Sequence, residues 1–321
     1  MKILVIPGLT LPEVSAETLV DIEKMAGPGS EVVVSKQDEA IGYVGDADVV
    51  LGFVSKDMFR ASNKLRWVHA ISSGVDMFLY DEFVRSDVVL TSEKGLVGEH
   101  LADTGFGLLL SLTRQIARAI RYGADGWNHR PEMRFQEVEL TGLTMGVFGF
   151  GGTGRAMAKR AKAFGMKVIA IDREDVGNSP EVDRVMESSE FRSFLEQSDV
   201  VSICCPLTKE TRGKFDAKAF AIMKDSAFLV NVTRGEVMNE EDLVFALENG
   251  AIQGAGLDVV PREPLPPDSK LWALDNAVMT PHTAGASPYR AQRNIERFLT
   301  NLERMRRGEE LEGVIDKELG Y

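Results

Sequence analysis

Short runs of aliphatic and β-branched residues recur along the chain, separated by segments in which apolar positions keep a helical spacing. Runs near 2–6, 31–34, 48–51, 66–71 and 88–91 predict strands, with a helix over 12–25 among the intervening segments. Such alternation predicts a parallel α/β sheet. A longer segment, 99–121, carries Leu101, Leu108, Leu109, Leu112, Ile116 and Ile120 at roughly helical spacing and predicts one buried connecting helix. After the polar stretch 123–131 the alternation restarts, with strands expected at 144–149, 167–171, 199–204, 227–232, 254–260 and 277–280. A second nucleotide-type sheet is the simplest outcome. The final helix, 287–307, places Ile295, Phe298, Leu299, Leu302 and Met305 on one stripe and stops before Gly308, and it is expected to return the chain to the first domain.

At 321 residues the chain exceeds one ordinary core, so two are expected. A hydrophobic fraction of 44% with 27% charged residues fits a folded globular protein. The formal charge of −12 argues against nucleic acid or an anionic membrane surface as partner, and a small anionic substrate would need a local positive site. The first apolar run is too short for a signal peptide, and no stretch approaches the roughly 20 apolar residues of a membrane span, so a cytoplasmic protein is expected. Cys204 and Cys205 are adjacent, which disfavours a structural disulfide between them and fits a reducing compartment. No His/Cys cluster has zinc-ligand spacing, so no metal is expected.

The apolar run Thr144-Met145-Gly146-Val147-Phe148 leads into Gly149-Phe150-Gly151-Gly152-Thr153-Gly154, and a helix is expected to follow until Gly165. In this spacing Gly149 permits a tight turn, Gly151 lets backbone approach a pyrophosphate, and Gly154 allows close helix–strand packing. The next strand ends at Asp172, where a carboxylate can accept hydrogen bonds from the adenosine ribose hydroxyls. The same carboxylate would repel a 2′-phosphate, which favours NAD over NADP, although Arg173 beside it softens the preference.

Three further residues are expected just past the carboxyl ends of strands, the edge where parallel sheets bind ligands: Arg234 after 228–232 and Thr233, Glu263 after 256–260 and His282 after 276–281. Carbonyl reduction needs a proton donor working near neutral pH, the range of histidine. A carboxylate on the other ring nitrogen stabilises the imidazolium and fixes the tautomer, a part Glu263 can play. Arginine supplies a planar, permanently charged fork for a substrate carboxylate and carbonyl, which Arg234 can provide. Of the other histidines, His69 is expected in the core, and His100 and His129 lie without an obvious titratable partner.

Taken together, these motifs resemble the D-isomer-specific 2-hydroxyacid dehydrogenase family over nearly the whole chain. The glycine loop with Asp172, Cys205-Pro206-Leu207-Thr208-Lys209-Glu210-Thr211, Asn231-Val232-Thr233-Arg234-Gly235-Glu236, Gly254-Ala255-Gly256-Leu257-Asp258-Val259, Glu263-Pro264-Leu265 and Thr280-Pro281-His282 look like its blocks. The resemblance implies Arg234 as substrate-binding, Glu263 and His282 as the acid/base pair, and a small 2-oxo or 2-hydroxy acid as substrate. It also implies cofactor contacts from Gly149, Gly151, Gly152, Thr153, Gly154, Asp172, Cys205, Thr233 and Asp258, the last meeting the nicotinamide carboxamide. Ser72-Ser73-Gly74-Val75-Asp76 looks like the family's substrate-carboxylate loop, which gives Ser73 and Gly74 that role, with Ser72 standing where the family has glycine. The family has histidine where Cys204 sits and isoleucine where Thr153 sits.

The family architecture implies two Rossmann-like α/β domains: a discontinuous substrate domain, 1–95 with 287–321, and an inserted NAD-binding domain, 96–286, through which a homodimer forms. Formate dehydrogenases place glutamine where Glu263 stands, and phosphite dehydrogenases carry a lysine near Ser73. The alternative reading is a corepressor-like NAD-sensing protein that binds without turnover. Phe53 and Phe78 are candidates to shape the substrate pocket or to serve as core.

Overall fold

A computed structural model describes residues 1–174, 176–177 and 179–321. Its chain forms two compact units, Met1–Val97 with Ala286–Tyr321, and Gly98–Gly285. The division falls at 97/98 and 285/286 rather than at 95/96 and 286/287.

In the first unit, β1 (Lys2–Val5), β2 (Glu31–Val34), β3 (Val49–Leu51), β4 (Trp67–His69) and β5 (Val89–Thr91) form a parallel sheet in the order β2-β1-β3-β4-β5. Because successive side chains alternate across a strand, each face gathers its own core. Leu4, Val50, Val68 and Leu90 pack with Phe83 on one face; Ile3, Val5, Val49, Leu51 and Trp67 pack on the other with Phe298 and Leu302. Those last two belong to the helix Arg290–Arg307, and Phe298 stacks on Trp67 with ring centroids 5.0 Å apart. A polar clasp adjoins this contact: Glu93, 1% exposed, accepts from Arg290 Nε at 2.9 Å and from Asn294 Nδ2 at 3.2 Å. Phe53 and Phe78 pack edge to face at 5.1 Å within the same unit, Phe78 in the core and Phe53 against it.

The second unit contains β6 (Thr144–Phe148), β7 (Lys167–Ile171), β8 (Arg184–Met186), β9 (Val200–Ile203), β10 (Phe228–Asn231), β11 (Gly254–Leu257) and β12 (Ala277–Met279). All pair in parallel in the order β12-β11-β10-β9-β6-β7-β8. Every residue of β9, β10 and β11 is buried, as expected of strands covered on both faces. The strand order reverses between β6 and β9, and the crevice at their carboxyl ends is where such sheets bind ligands.

Several elements depart from the sequence pattern. The expected helix 99–121 is two, Gly98–Thr113 and Ile116–Tyr122, broken at Gln115 with φ 55°. The break holds because the last carbonyls of the first helix find outside donors: Gln115 Nε2 reaches Leu112 O at 3.2 Å and Val138 N–H reaches Thr113 O at 2.8 Å. The polar stretch from 123 winds into a 3-10 turn, Gly123–Trp127, and a helix, Arg130–Gln136, with Pro131 in its first turn. The first helix begins at Ala16 rather than 12, capped by the Ser15 hydroxyl on Thr18 N–H at 3.1 Å. The final helix begins at Arg290 rather than 287. Strand β8 was not expected, since Arg184 and Val185 are exposed and leave no buried pattern. Among the described residues no helix is long and apolar enough to cross a membrane, and no cluster of acidic, histidine or cysteine side chains could hold a metal.

His69 is a core residue of the first unit, its Nδ1 2.6 Å from the Thr91 hydroxyl. Burial, and secondarily the charge of Arg297, pulls its pKa from 6.5 down to about 3. The unfolded chain therefore binds a proton that the folded chain refuses, so this group's contribution is full above 6.5 and is lost as pH falls toward 3. Urea midpoints measured between about pH 7 and about pH 4 should fall less steeply in His69→Phe. An identical slope in both proteins would assign the acid sensitivity to other groups.

Candidate active site

The glycine loop leaves β6 at Gly149, whose φ is 96°. A Cβ there would lie 2.6 Å from the Cα of Cys205, so glycine is what lets the loops after β6 and β9 touch at the order reversal. Gly154 closes the helix Gly152–Ala163 onto the strand: its Cβ would meet Gly149 O at 2.1 Å. Gly151 caps that helix, and nothing lies within 4 Å of where its Cβ would be. Open space beside the free first-turn N–H groups of Gly152, Thr153 and Gly154 is a setting that fits a pyrophosphate.

Asp172, just past β7, is tied to this loop. Its Oδ2 accepts from Phe150 N–H at 2.6 Å and its Oδ1 from Glu174 N–H at 2.9 Å. Cys205 is buried at the same reversal, and burial pushes its thiol up; the neighbouring Cys204 thiol is pushed up to about 12 and lies 3.3 Å from the Ser202 hydroxyl. Neither cysteine is in a disulfide.

Arg234, Glu263 and His282 follow β10, β11 and β12, three adjacent strands. Fully buried Asn231 shapes the first loop: its Nδ2 donates to Arg234 O at 2.9 Å and its Oδ1 accepts from Thr233 N–H at 3.1 Å. Thr233 further bonds Asn231 Oδ1 through its hydroxyl at 3.3 Å. Arg234 Nη1 donates to Thr233 O at 2.9 Å. A Cβ on Gly235 would fall 1.9 Å from the Val260 carbonyl carbon, so the Arg234 loop lies directly on the segment leading to Glu263. Glu263 Oε1 accepts from Val260 N–H at 3.1 Å, and its Oε2 sits 2.6 Å from His282 Nδ1. Both side chains stay partly exposed, at 36% and 48%.

His282 has φ 54°, a left-handed conformation rare outside glycine, and persists there because its surroundings hold it. Its N–H donates to Asp258 O at 2.8 Å, while the Asp258 carboxylate accepts from the Thr280 hydroxyl at 2.6 Å and from Thr283 N–H and Ala284 N–H at 2.9 Å each. Asp258 is 2% exposed. Besides the nicotinamide contact that the resemblance implies, Asp258 thus holds the loop that carries His282.

The structure thus joins Glu263 to His282 and packs the Arg234 loop against the Glu263 segment. Ser73 and Gly74 lie in the first unit, in a turn after β4 closed by the Ser72 hydroxyl on Gly74 O at 2.8 Å. His129 does have acidic partners, Asp125 at 3.1 Å and Glu132 at 3.7 Å, at helical spacings legible in the sequence. Asn231, Gly235 and the Phe150–Asp172 bond were not singled out from the sequence; only the position of Asn231, a polar residue ending an apolar strand, hinted at its role.

Residues 106–284 match the model of the D-isomer specific 2-hydroxyacid dehydrogenase family, NAD binding domain. A glyoxylate reductase of Korarchaeum cryptofilum is 33% identical over 98% of this chain and 94% of its own length. Among solved structures, a D-isomer specific 2-hydroxyacid dehydrogenase family protein of Aeromonas salmonicida superposes with a TM-score of 0.79 at 30% identity, covering 98% of this chain and 99% of that one. An NADPH-dependent glyoxylate/hydroxypyruvate reductase of Sinorhizobium meliloti, in complex with NADP and sulfate, gives 0.80 at 26% identity and covers all of both chains (100% and 100%).

Replacing Asp258 by Asn keeps the shape but turns an acceptor into a donor facing N–H and O–H groups. Asp258→Asn should cost about 1–3 kcal/mol and speed hydrogen exchange at the Thr283 and Ala284 amides. Unchanged protection at both amides would show that the loop stands without this carboxylate.

Proposed function

Because this chain belongs to the D-isomer specific 2-hydroxyacid dehydrogenase family, we propose that it interconverts a small 2-oxo acid and the D-2-hydroxy acid with NAD(H). It is an oxidoreductase of the 2-hydroxyacid dehydrogenase type, and the glyoxylate and hydroxypyruvate named for its relatives are the first substrates to try. The observation that carries the reading is the 2.6 Å contact between Glu263 and His282, held at the carboxyl edge of the sheet that bears the glycine loop.

The glycine loop with Asp172 would hold a nicotinamide nucleotide, which when bound would supply the hydride chemistry at C2. With Nδ1 donating to Glu263, Nε2 is the nitrogen left to give a proton to the carbonyl oxygen during reduction and to take one from the hydroxyl during oxidation. Glu263 holds ring and tautomer and stabilises the imidazolium. Arg234 presents a planar fork to the substrate carboxylate and carbonyl. Asp172 disfavours a 2′-phosphate and so supports NAD over NADP, although the Sinorhizobium relative is named for NADPH. Ile120, Trp127 and Phe135 are 75%, 79% and 91% exposed on one stretch of the second unit, which supports a homodimer through that unit. The two free cysteines fit a cytoplasmic setting.

A panel of 2-oxo acids assayed with NADH and NADPH tests the activity; nucleotide binding without turnover of any of them would favour a sensing role instead. Reduction consumes the imidazolium proton, so its rate should fall as pH rises, whereas oxidation should fall as pH drops. His282→Ala should lose about 10²–10⁴-fold in kcat and both limbs. Limbs that survive the substitution would name another proton donor. For the dimer, light scattering should give twice the 35.3 kDa chain mass, and Trp127→Ser with Phe135→Ser should lower it; a mass of one chain in the unmodified protein would rule the dimer out.

A further inference from the structure

In the second sheet β6 lies between β7 and β9, so the loops after those two strands border the glycine loop on either side. An ion pair links them. Arg173, two residues past β7, places Nη1 2.8 Å from Oε2 of Glu210 on the segment after β9. Glu174 Oε1 lies 3.6 Å from the Arg173 Nε, and Asp172 is the preceding residue. One guanidinium therefore meets two carboxylates beside the position where the adenosine ribose is expected. Arg155, a second guanidinium near this corner, lies over the Phe150 ring at 4.7 Å and donates to Val176 O at 3.1 Å.

We propose that Glu210 is a specificity-determining residue: by holding the Arg173 guanidinium it withholds the cation that a 2′-phosphate would need, and so favours NADH over NADPH. The proposal rests on the cofactor reading above and deepens it. A 2′-phosphate brings close to two negative charges and must find a cation to offset Asp172. The cation nearest to Asp172 in sequence is already paired, and taking it would leave Glu210 facing the phosphate. Both partners are open to solvent, Arg173 at 36% and Glu210 at 71%, so the pair is exchangeable and tunes the choice rather than locking it. Asp172 acts by direct repulsion, whereas Glu210 acts through Arg173.

Dissociation constants for NADH and NADPH, read from nucleotide fluorescence on the whole protein, test this in the unmodified chain, Glu210→Gln, Arg173→Ala and the double variant. Glu210→Gln should tighten NADPH by about fivefold, the worth of one exposed ion pair, and move NADH less than twofold. The gain should vanish when Arg173→Ala is added. Equal changes for both nucleotides, or a gain that persists without Arg173, would overturn the role of Glu210. Failure of the unmodified protein to bind either nucleotide would instead overturn the cofactor reading itself.

Discussion

A carboxylate with almost no access to water must be met by donors from the protein, and Asp258 is met by three from one short loop. That requirement draws 280–284 down onto the end of β11 and forces the turn in which His282 takes positive φ. The histidine's backbone is therefore set from below while its ring is set from the side by Glu263. Backbone contact does the rest: Gly235 brings the Arg234 loop onto Val260, and Gly149 brings the glycine loop onto Cys205. At each of these places a side chain as small as a methyl group would drive the loops apart.

The parallel alternation, the glycine spacing and the three residues at strand ends were legible because each is written in local pattern or in residue type. Buried parallel strands such as β9 and β10 read as apolar runs, and the fold follows from their rhythm. What escaped was decided by distant partners. Gln115 breaks a helix that local spacing would continue, because Val138 and its own side chain satisfy the freed carbonyls. Strand β8 has an exposed Arg184 and Val185, so it follows β7 without a pattern of its own. The loop-holding work of Asp258 was hidden for a related reason: its partners Thr280, Thr283 and Ala284 lie more than 20 residues away and meet it only in three dimensions.

The chain's charge of −12 and its proposed anionic ligands are compatible because attraction is arranged locally. Helix N-terminal amides at Gly152–Gly154 and the Arg234 guanidinium supply positive potential without altering the surface as a whole. Acidic groups gather instead where the ribose is expected, around Asp172, Glu174 and Glu210, a corner whose proposed role is to choose between nucleotides rather than to hold their pyrophosphate.

The stacking of Phe298 on Trp67 bears on how the protein is made. The first unit begins at Met1, yet one face of its sheet is covered by a helix starting at Arg290. At synthesis rates of about 5–20 residues per second, the intervening stretch of roughly 190 residues takes about 10–40 s to emerge. During that time Ile3, Val5, Leu51 and Trp67 lack the part of their cover that Phe298 and Leu302 supply, and Glu93 lacks Arg290. The inserted unit, contiguous in sequence, can complete its core first. A ribosome-bound nascent chain of this protein thus leaves that face of the sheet incomplete until the helix Arg290–Arg307 has left the tunnel.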